Sequence, residues 1–178
     1  MFKKHSSHAL RAAVCAALAA LSCALPAAAQ QKSVAVTSIV EHPALDAVRD
    51  GVKEALQKAG LEDGKTLRWQ YQTAQGNAGT AGQIARKFVG DQPDVIVAIS
   101  TPSAQALLAT TKNIPIVFSA VTDPVAGQLT PSWDASGTNV TGVSNALDLT
   151  KQAEMIRRIL PQAKRVGVVY NPGEANSA

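Results

Sequence analysis

The apolar residues from residue 33 onward follow two alternating patterns. Short runs rich in Val, Ile and other β-forming residues predict strands, and apolar residues three or four apart predict amphipathic helices. The predicted strands cover residues 33–39, 66–74, 94–100, 114–121, 138–145 and 165–170. The predicted helices cover residues 43–60, 79–90, 102–112 and 149–160, and a further short helix is expected from Pro124.

Two of the predicted strands, "DVIVAIS" at 94–100 and "IPIVFSAV" at 114–121, are almost continuously apolar. Strands of this composition lie in sheets whose two faces are both covered. Strands and helices alternate along the whole region, which indicates parallel strands joined by helical crossovers. We therefore expect an α/β fold, in which a Rossmann-like parallel sheet has helices on both of its faces.

The N-terminal segment, residues 1–29, has the layout of a secretory signal peptide. A basic start precedes an uncharged apolar core over residues 12–25, and "PAAAQQ" follows. This pattern predicts cleavage after Ala29 and a periplasmic protein. A membrane anchor is the alternative, but the apolar run is shorter than the ~20 residues that a spanning helix needs. Lipid attachment at Cys23 is disfavoured by the residues that precede it.

Removal of this segment changes the composition. Both cysteines, Cys15 and Cys23, are lost, so the mature chain has no disulfide, thiolate nucleophile or cysteine metal ligand. Loss of Lys3, Lys4 and Arg11 leaves 14 of the 17 basic residues against 13 acidic ones. A charge this close to neutral does not predict a nucleic-acid partner.

The mature sequence contains little that predicts catalysis. His42 is its only histidine, and no nucleophile-elbow sequence accompanies it. No cluster of His, Asp and Glu predicts a metal site. The glycines of "GNAGTAG" at 76–82 are not spaced as in a dinucleotide-binding or phosphate-binding loop. We therefore expect no catalytic residue, no cofactor and no metal.

One junction recurs, in which a strand ends and an X-Pro pair opens the next helix. Proline suits the first turn of a helix, and Thr, Asp and Asn before it are favoured caps. In a parallel sheet these helix starts meet at the carboxyl edge, where open α/β sheets bind ligands. The four pairs are His42–Pro43, Thr101–Pro102, Asp123–Pro124 and Asn171–Pro172.

The start of the helix at Pro102 is the strongest candidate site. The N–H groups of Ser103 and Ala104 and the hydroxyls of Ser100, Thr101 and Ser103 suit a carboxylate or a phosphate. From the residues alone, however, we favour the interpretation that Thr101 only caps its helix.

Other polar residues follow the neighbouring strands. Ser119, Thr122 and Asp123 lie at one strand end, where Asp123 either caps the next segment, which we favour from the residues alone, or meets a ligand ammonium group. Glu41 and His42 follow the first strand, where a surface or capping role is the favoured interpretation.

Five stretches together resemble the ABC transporter substrate-binding protein family that includes tryptophan/tyrosine-type binders. They are "VAVTSIVEHPALDAVRDGVKEAL", "PDVIVAISTPSAQAL", "IPIVFSAVTDPV", "NVTGVSN" and "RVGVVYNPGEANS", in order between residues 33 and 178. The resemblance implies two Rossmann-like lobes of the periplasmic binding protein type I kind, joined by a hinge. It also implies a small-molecule ligand between the lobes, delivery to an ABC permease in the inner membrane, and a monomer.

The resemblance also divides the chain. Residues 30–145 correspond to the first ligand-binding lobe, and residues 146–178 to the hinge crossing and the start of a second lobe. Members of that family continue well past this point, so we expect a chain truncated after the first lobe. Residues 149–178 would then lack packing partners, and the chain alone would bind its ligand weakly, because tight binding needs two lobes to close.

By the same resemblance, loops at the strand ends and the "YNPGEANS" turn contact the ligand. Thr101 and Ser103 are expected to hold a carboxylate, and Asp123 and Glu174 are candidates for an amino group. The implied ligand-binding residues are Ser38, Glu41, His42, Ser100, Thr101, Ser103, Ser119, Thr122, Asp123, Asn145, Asn171, Glu174, Asn176 and Ser177, of which Asn171, Asn176 and Ser177 would clamp polar groups.

The family also implies an aromatic amino acid as the ligand. Two other functions remain open at this stage. One is a periplasmic ligand sensor on the same fold, which would signal to a receptor. The other is a secreted α/β hydrolase-type enzyme.

Overall fold

The computed structural model describes residues 31–134 and 137–177. The predicted signal peptide, residues 1–29, lies outside the described residues. The strands are β1 (Lys32–Ser38), β2 (Leu67–Thr73), β3 (Val95–Ile99), β4 (Ile116–Val121) and β5 (Val140–Ser144). The helices are α1 (Pro43–Lys58), α2 (Ala78–Asp91), α3 (Thr101–Leu108) and α4 (Leu149–Ile159), followed by a short 3₁₀ helix at Ala175–Ser177.

The described strands form one parallel sheet in the order β2-β1-β3-β4-β5. Ser38 at the end of β1 pairs with Ile99 at the end of β3, so the carboxyl ends of the strands meet at one edge. The strand order reverses at β1, because β2 lies on one side of it and β3, β4 and β5 lie on the other. The predicted α/β class with a parallel sheet is confirmed.

Helices cover both faces of this sheet. Phe88 of α2 and Leu107 of α3 are fully buried on one face. Val48 and Val52 of α1 are half-buried against Val36 on the other. Burying a side chain such as Phe88 stabilises the fold by about 1.5–3 kcal/mol. The apolar periodicity of the sequence therefore corresponds to real packing faces.

Polar side chains determine where the first two helices begin. The backbone of His42 is extended, and its Nδ1 accepts the N–H of Ala44 at 3.2 Å. Before α2, the side-chain oxygen of Asn77 accepts the N–H of Thr80 at 2.9 Å. His42 thus has the capping role favoured from the sequence.

Two predicted elements are wrong. No helix begins at Pro124: residues 124–128 form a closed turn instead, because Gln128 adopts a left-handed φ of 57° and Leu129 donates back to the Pro124 carbonyl at 2.8 Å. Residues 165–170 are not a strand either. A strand needs a neighbour for its backbone hydrogen bonds, and no described strand lies beside them, so Val169 is fully exposed.

Helix α4 forms at the predicted place but buries little. Its apolar residues Leu149 and Ile159 are 72% and 68% exposed. The side chain of Asp148 caps it by accepting the N–H of Lys151 at 3.1 Å. Among the described helices, none combines the length and the apolar character that a membrane crossing requires.

Candidate functional site

The carboxyl edge of the sheet brings together the loops that follow β1, β3, β4 and β5. The reversal of strand order at β1 leaves a crevice between the ends of β1 and β3. In open α/β sheets this is the place where ligands bind. Helix α3 begins at the same place, directly after β3.

Ser100, between β3 and α3, has a backbone conformation that is normally reserved for glycine. Its φ is 85° and its ψ is 157°. Such a conformation costs about 1–3 kcal/mol in a residue with a side chain, and it clusters at functional sites. Its N–H donates to the Ser119 carbonyl at 2.9 Å, and its hydroxyl lies 3.4 Å from that of Ser103. The half-buried Ser100 side chain is thereby held at the sheet edge.

A bulge in β4 lies beside this residue. Phe118 pairs with Gly142 and Val121 pairs with Ser144, so between these two pairs β4 advances by three residues and β5 by two. The extra length is taken up at Ala120, whose φ is 54°. Bulges of this kind redirect side chains next to binding sites. The sequence contains no glycine at Ser100 or Ala120 that could have predicted either irregularity.

The N-terminus of α3 differs from the prediction in two respects. The capping position is occupied by Ser100, and Thr101 is the first helical residue, so Thr101 does not cap. The N–H of Ala104, predicted to be free, donates to the Ser100 carbonyl at 3.2 Å. The cause is the left-handed turn at Ser100, which starts the helix one residue earlier than Pro102 suggests. Ser103 and its backbone N–H remain near the open end of the helix.

Thr101 is almost completely buried, with 1% exposure. Its hydroxyl has no hydrogen-bond partner among the described residues. An unpaired buried hydroxyl costs about 1–3 kcal/mol. A ligand oxygen is the kind of group that would relieve this cost at a helix N-terminus.

Asp123 caps the 124–128 turn. Its Oδ1 accepts the N–H groups of Val125 and Ala126 at 2.8 and 2.9 Å. This is the role favoured from the residues alone. One carboxylate oxygen of Asp123 is therefore already occupied by the backbone.

The segment 171–177, here called the closing turn, packs near the start of α3. Asn171 accepts the Gly173 N–H at 3.0 Å and donates to the Glu174 carboxylate at 3.0 Å. A cavity of about 400 Å³, here called the cleft cavity, separates this turn from the sheet edge. It is lined by Ile39, Gly76, Ala78, Pro102, Gln105, Ala106, Asn171, Gly173 and Glu174.

The structure thus places Ser100, Thr101 and Ser103 at the start of α3, whose Pro102 lines the cleft cavity, and it places Asn171 and Glu174 in the closing turn that lines the same cavity. Several of the other predicted residues bond to the protein itself or are exposed. Ser38 is buried and donates to the Val40 carbonyl, Thr122 accepts from Ser144, and Asn145 donates to Val121. Ser177 donates its N–H to Glu174, and Glu41 and Asn176 are exposed.

Sequence reasoning missed the wall of the cavity. Ile39, Pro102, Gln105 and Ala106 line it. Gln105 lies one helical turn after Thr101, so helical spacing could have identified it. No group of three or more His, Cys, Asp and Glu side chains in the described ranges is placed to hold a metal ion.

A second cavity, of about 350 Å³, lies beside β5 and is lined by residues that include Phe118 and Trp133. None of the predicted site residues is among those that line it. The cleft cavity is the better candidate, because the switch point of the sheet and the start of α3 both border it.

The chain is similar to known proteins in both sequence and structure. The family described as ABC transporter substrate binding protein matches residues 33–178. A tyrosine-binding protein of Clostridioides difficile (strain R20291) is 45% identical over 148 residues, which are 83% of this chain and 43% of that protein.

Two solved structures cover 83% of this chain, and each match covers 50% of the other chain. A conserved domain protein from Vibrio cholerae is 55% identical with a TM-score of 0.81. An ABC domain from Streptococcus pneumoniae in complex with L-Trp is 30% identical with a TM-score of 0.79. The chain spans about half the length of these relatives. It belongs to the ABC transporter substrate-binding protein family.

Proposed function

We propose that this protein is the periplasmic substrate-binding component of an ABC importer, which binds an aromatic amino acid between two lobes and delivers it to a membrane permease. The observation that carries the proposal is the cleft cavity, which lies at the switch point of the sheet against the start of α3. Its volume of about 400 Å³ falls within the range of small-molecule sites.

The start of α3 suits the carboxylate of an amino acid. A helix N-terminus carries a partial positive charge and unpaired N–H groups, which stabilise an anion. Ser100 and Ser103 add hydroxyls there, and Thr101 has a buried hydroxyl without a partner. The strained backbone of Ser100 supports the assignment, since strain of this kind persists at functional sites.

The opposite wall suits the other end of the same ligand. Glu174 is half-buried in the closing turn and would pair with an ammonium group. Asn171, which donates to Glu174, would hold that carboxylate in place, and Asn176 and Ser177 would add polar contacts. Asp123 is the weaker candidate for this role, because its Oδ1 is bonded to the backbone.

The apolar part of the cavity lining supports an aromatic side chain. It includes Ile39, Pro102 and Ala106. The relatives are consistent with this choice, since one is named as a tyrosine-binding protein and another was solved with L-Trp.

The enzyme alternative finds no support in the placement of His42. Its Nδ1 accepts the Ala44 N–H as the cap of α1. A serine nucleophile would need this imidazole as its base, and among the described residues no hydrogen bond joins it to Ser100, Ser103 or Ser119. We therefore propose a binding protein without catalytic residues, cofactor or metal. The sensor alternative would use the same cavity and differ only in its membrane partner.

Isothermal titration calorimetry on the full gene product tests the ligand. L-tyrosine and L-tryptophan are titrated beside L-leucine and L-lysine. Saturable binding of an aromatic amino acid, with weaker binding of the other two, is expected. If no amino acid binds, the ligand assignment is wrong. Uptake of the labelled ligand with and without the permease genes then separates an importer from a sensor.

A further inference from the structure

Gly127 lies inside the 124–128 turn and is buried. A Cβ added there would lie 2.9 Å from the Asp123 carbonyl oxygen and 3.0 Å from the Cγ2 of Thr101. The φ of Gly127 is not in the left-handed region. Close packing, and not a special backbone conformation, is therefore what excludes a side chain at this position.

Hydrogen bonds fix the turn on both sides of Gly127. Its N–H donates to the Asp123 carbonyl at 2.9 Å, and its own carbonyl accepts from Nε2 of Gln105 at 2.9 Å. Asp123 holds the first residues of the turn through its side chain. Since Thr101 and Gln105 are one turn apart on α3, the 124–128 turn is docked on the same side of that helix at two points.

This docking constrains the side chain of Thr101. Its Cγ2 branch contacts Gly127, so its hydroxyl takes the other branch. That hydroxyl is buried and has no partner among the described residues. Threonine has few accessible χ1 rotamers, and a fixed methyl group therefore fixes the direction of the hydroxyl.

We propose that Gly127 is a positioning residue for the carboxylate subsite at the start of α3. By lacking a side chain, it lets the 124–128 turn hold Thr101 in the rotamer that presents its hydroxyl to the ligand carboxylate. The inference rests on the proposed function, because it assigns a role within the same site.

Gly127→Ala in the full gene product tests this role, with L-tyrosine and L-tyrosinamide as the titrated ligands. The variant should bind L-tyrosine about tenfold more weakly than the wild type, which corresponds to one hydrogen bond to a charged group. Binding of L-tyrosinamide, which has no carboxylate, should change much less. A general structural defect would weaken both ligands equally.

The double variant Thr101→Ser/Gly127→Ala provides the rescue. Serine keeps the hydroxyl and lacks Cγ2, so one of the two close contacts disappears. Adding Gly127→Ala to the Thr101→Ser variant should then weaken L-tyrosine binding by a smaller factor than adding it to the wild type. Gly90→Ala is the matched control, because a Cβ at Gly90 meets no atom within 4 Å. It should leave both affinities unchanged.

Three results would overturn the role of Gly127 without overturning the proposed function. They are unchanged L-tyrosine binding in Gly127→Ala, an equal loss for both ligands, or no rescue by Thr101→Ser. If Gly127→Ala does not fold, as judged by circular dichroism, the comparison of the double variant with Thr101→Ser decides the question. A wild type that binds neither ligand would instead overturn the proposed function, and the role of Gly127 with it.

Discussion

The backbone N–H of Ser100 donates to the carbonyl oxygen of Ser119 at 2.9 Å, one residue beyond the regular end of β3. The donor Ser100 has a left-handed backbone conformation, with a φ of 85°. Ala120, the residue after the acceptor Ser119, also has one, with a φ of 54°. The bond thus joins the end of β3 to the bulged part of β4, and both depart from ordinary strand geometry. Such strain persists only where the surroundings hold it, and it clusters at functional sites.

Replacing Ser100 with glycine should have opposite effects on stability and binding. Glycine adopts this conformation readily, so the free energy of unfolding should rise by about 1 kcal/mol. Loss of the hydroxyl should weaken L-tyrosine binding. Urea denaturation and calorimetry measure the two effects.

Gln92→Gly is the control for this variant. Gln92 is also left-handed, with a φ of 47°, but it ends α2 away from the cleft cavity. It should gain about 1 kcal/mol in stability without any change in affinity. Unchanged binding in Ser100→Gly would exclude its hydroxyl from the site.

Thr101→Val should separate ligand binding from stability in another way. Valine has nearly the shape of threonine and removes a buried hydroxyl that has no partner, so stability should stay the same or rise by about 1 kcal/mol. Ligand affinity should fall about tenfold, by the loss of one charge-assisted hydrogen bond. Thr37→Val is the control, because Thr37 also has a buried unpaired hydroxyl but lies within β1. An equal effect of both variants on affinity would contradict the site.

The hydrogen bonds of the Asp94 carboxylate predict that the protein loses stability in acid. Its pKa is lowered from the ordinary value of 3.8, first by the backbone N–H and then by the hydroxyl of Ser33, which donate at 2.7 and 2.8 Å. The lowered pKa stabilises the fold above the unfolded value, and the contribution disappears as the pH falls through the folded pKa. Unfolding followed between pH 6 and 2 should show this dependence, and Asp94→Asn should flatten it.

Ser33→Ala provides the matched test for this carboxylate. It removes one donor, so the pKa of Asp94 should move back toward 3.8 in an NMR titration. A titration curve identical to that of the wild type would show that the Ser33 hydroxyl does not hold the charge.

Gly142→Ala should strongly destabilise the protein. A Cβ there would overlap the carbonyl oxygen and the ring of Phe118, which pairs with Gly142 beside the bulge. Overpacking of this kind typically costs about 1–3 kcal/mol. Gly51→Ala in α1, where a Cβ meets nothing within 4 Å, should instead stabilise by about 0.5–1 kcal/mol. Thermal unfolding of both variants distinguishes packing from a general intolerance of substitution.

Hydrogen exchange tests the segment after α4. In the 178-residue chain, amides of residues 165–170 should exchange rapidly, because no described strand pairs with them. Amides of β3, between two paired strands, should be protected. Strong protection of residues 165–170 would contradict this expectation.

Local patterns were enough to predict most of the fold. The apolar runs of β3 and β4 and the amphipathic spacing of α1 and α2 have one physical meaning each, and their elements are found within about two residues of the predicted bounds. The run at 165–170 has the same composition but no partner strand. Composition records the tendency to form a strand, whereas pairing depends on another segment.

The sequence predicted which loops meet at the carboxyl edge better than it predicted the local role of each residue. The X-Pro pairs at 42–43 and 101–102 correctly indicated helix starts at the carboxyl edge, but no helix begins at Pro124, and the cap of α3 is Ser100 and not Thr101. The left-handed turn that causes this shift is imposed by tertiary contacts such as the bond to Ser119. Nothing in the residue type of Ser100 encodes it. The contact between Gly127 and Thr101 was equally hidden, because the two residues are distant in the sequence.

The closing turn has a thermodynamic consequence. Its hydrogen bonds join Asn171 to Gly173 and Glu174, and Glu174 to Ser177, so every partner is two or three residues away. Such bonds form without help from the sheet. A ligand would therefore contact a preorganised turn, and binding it would cost less conformational entropy of the chain than the folding of a loose segment around it.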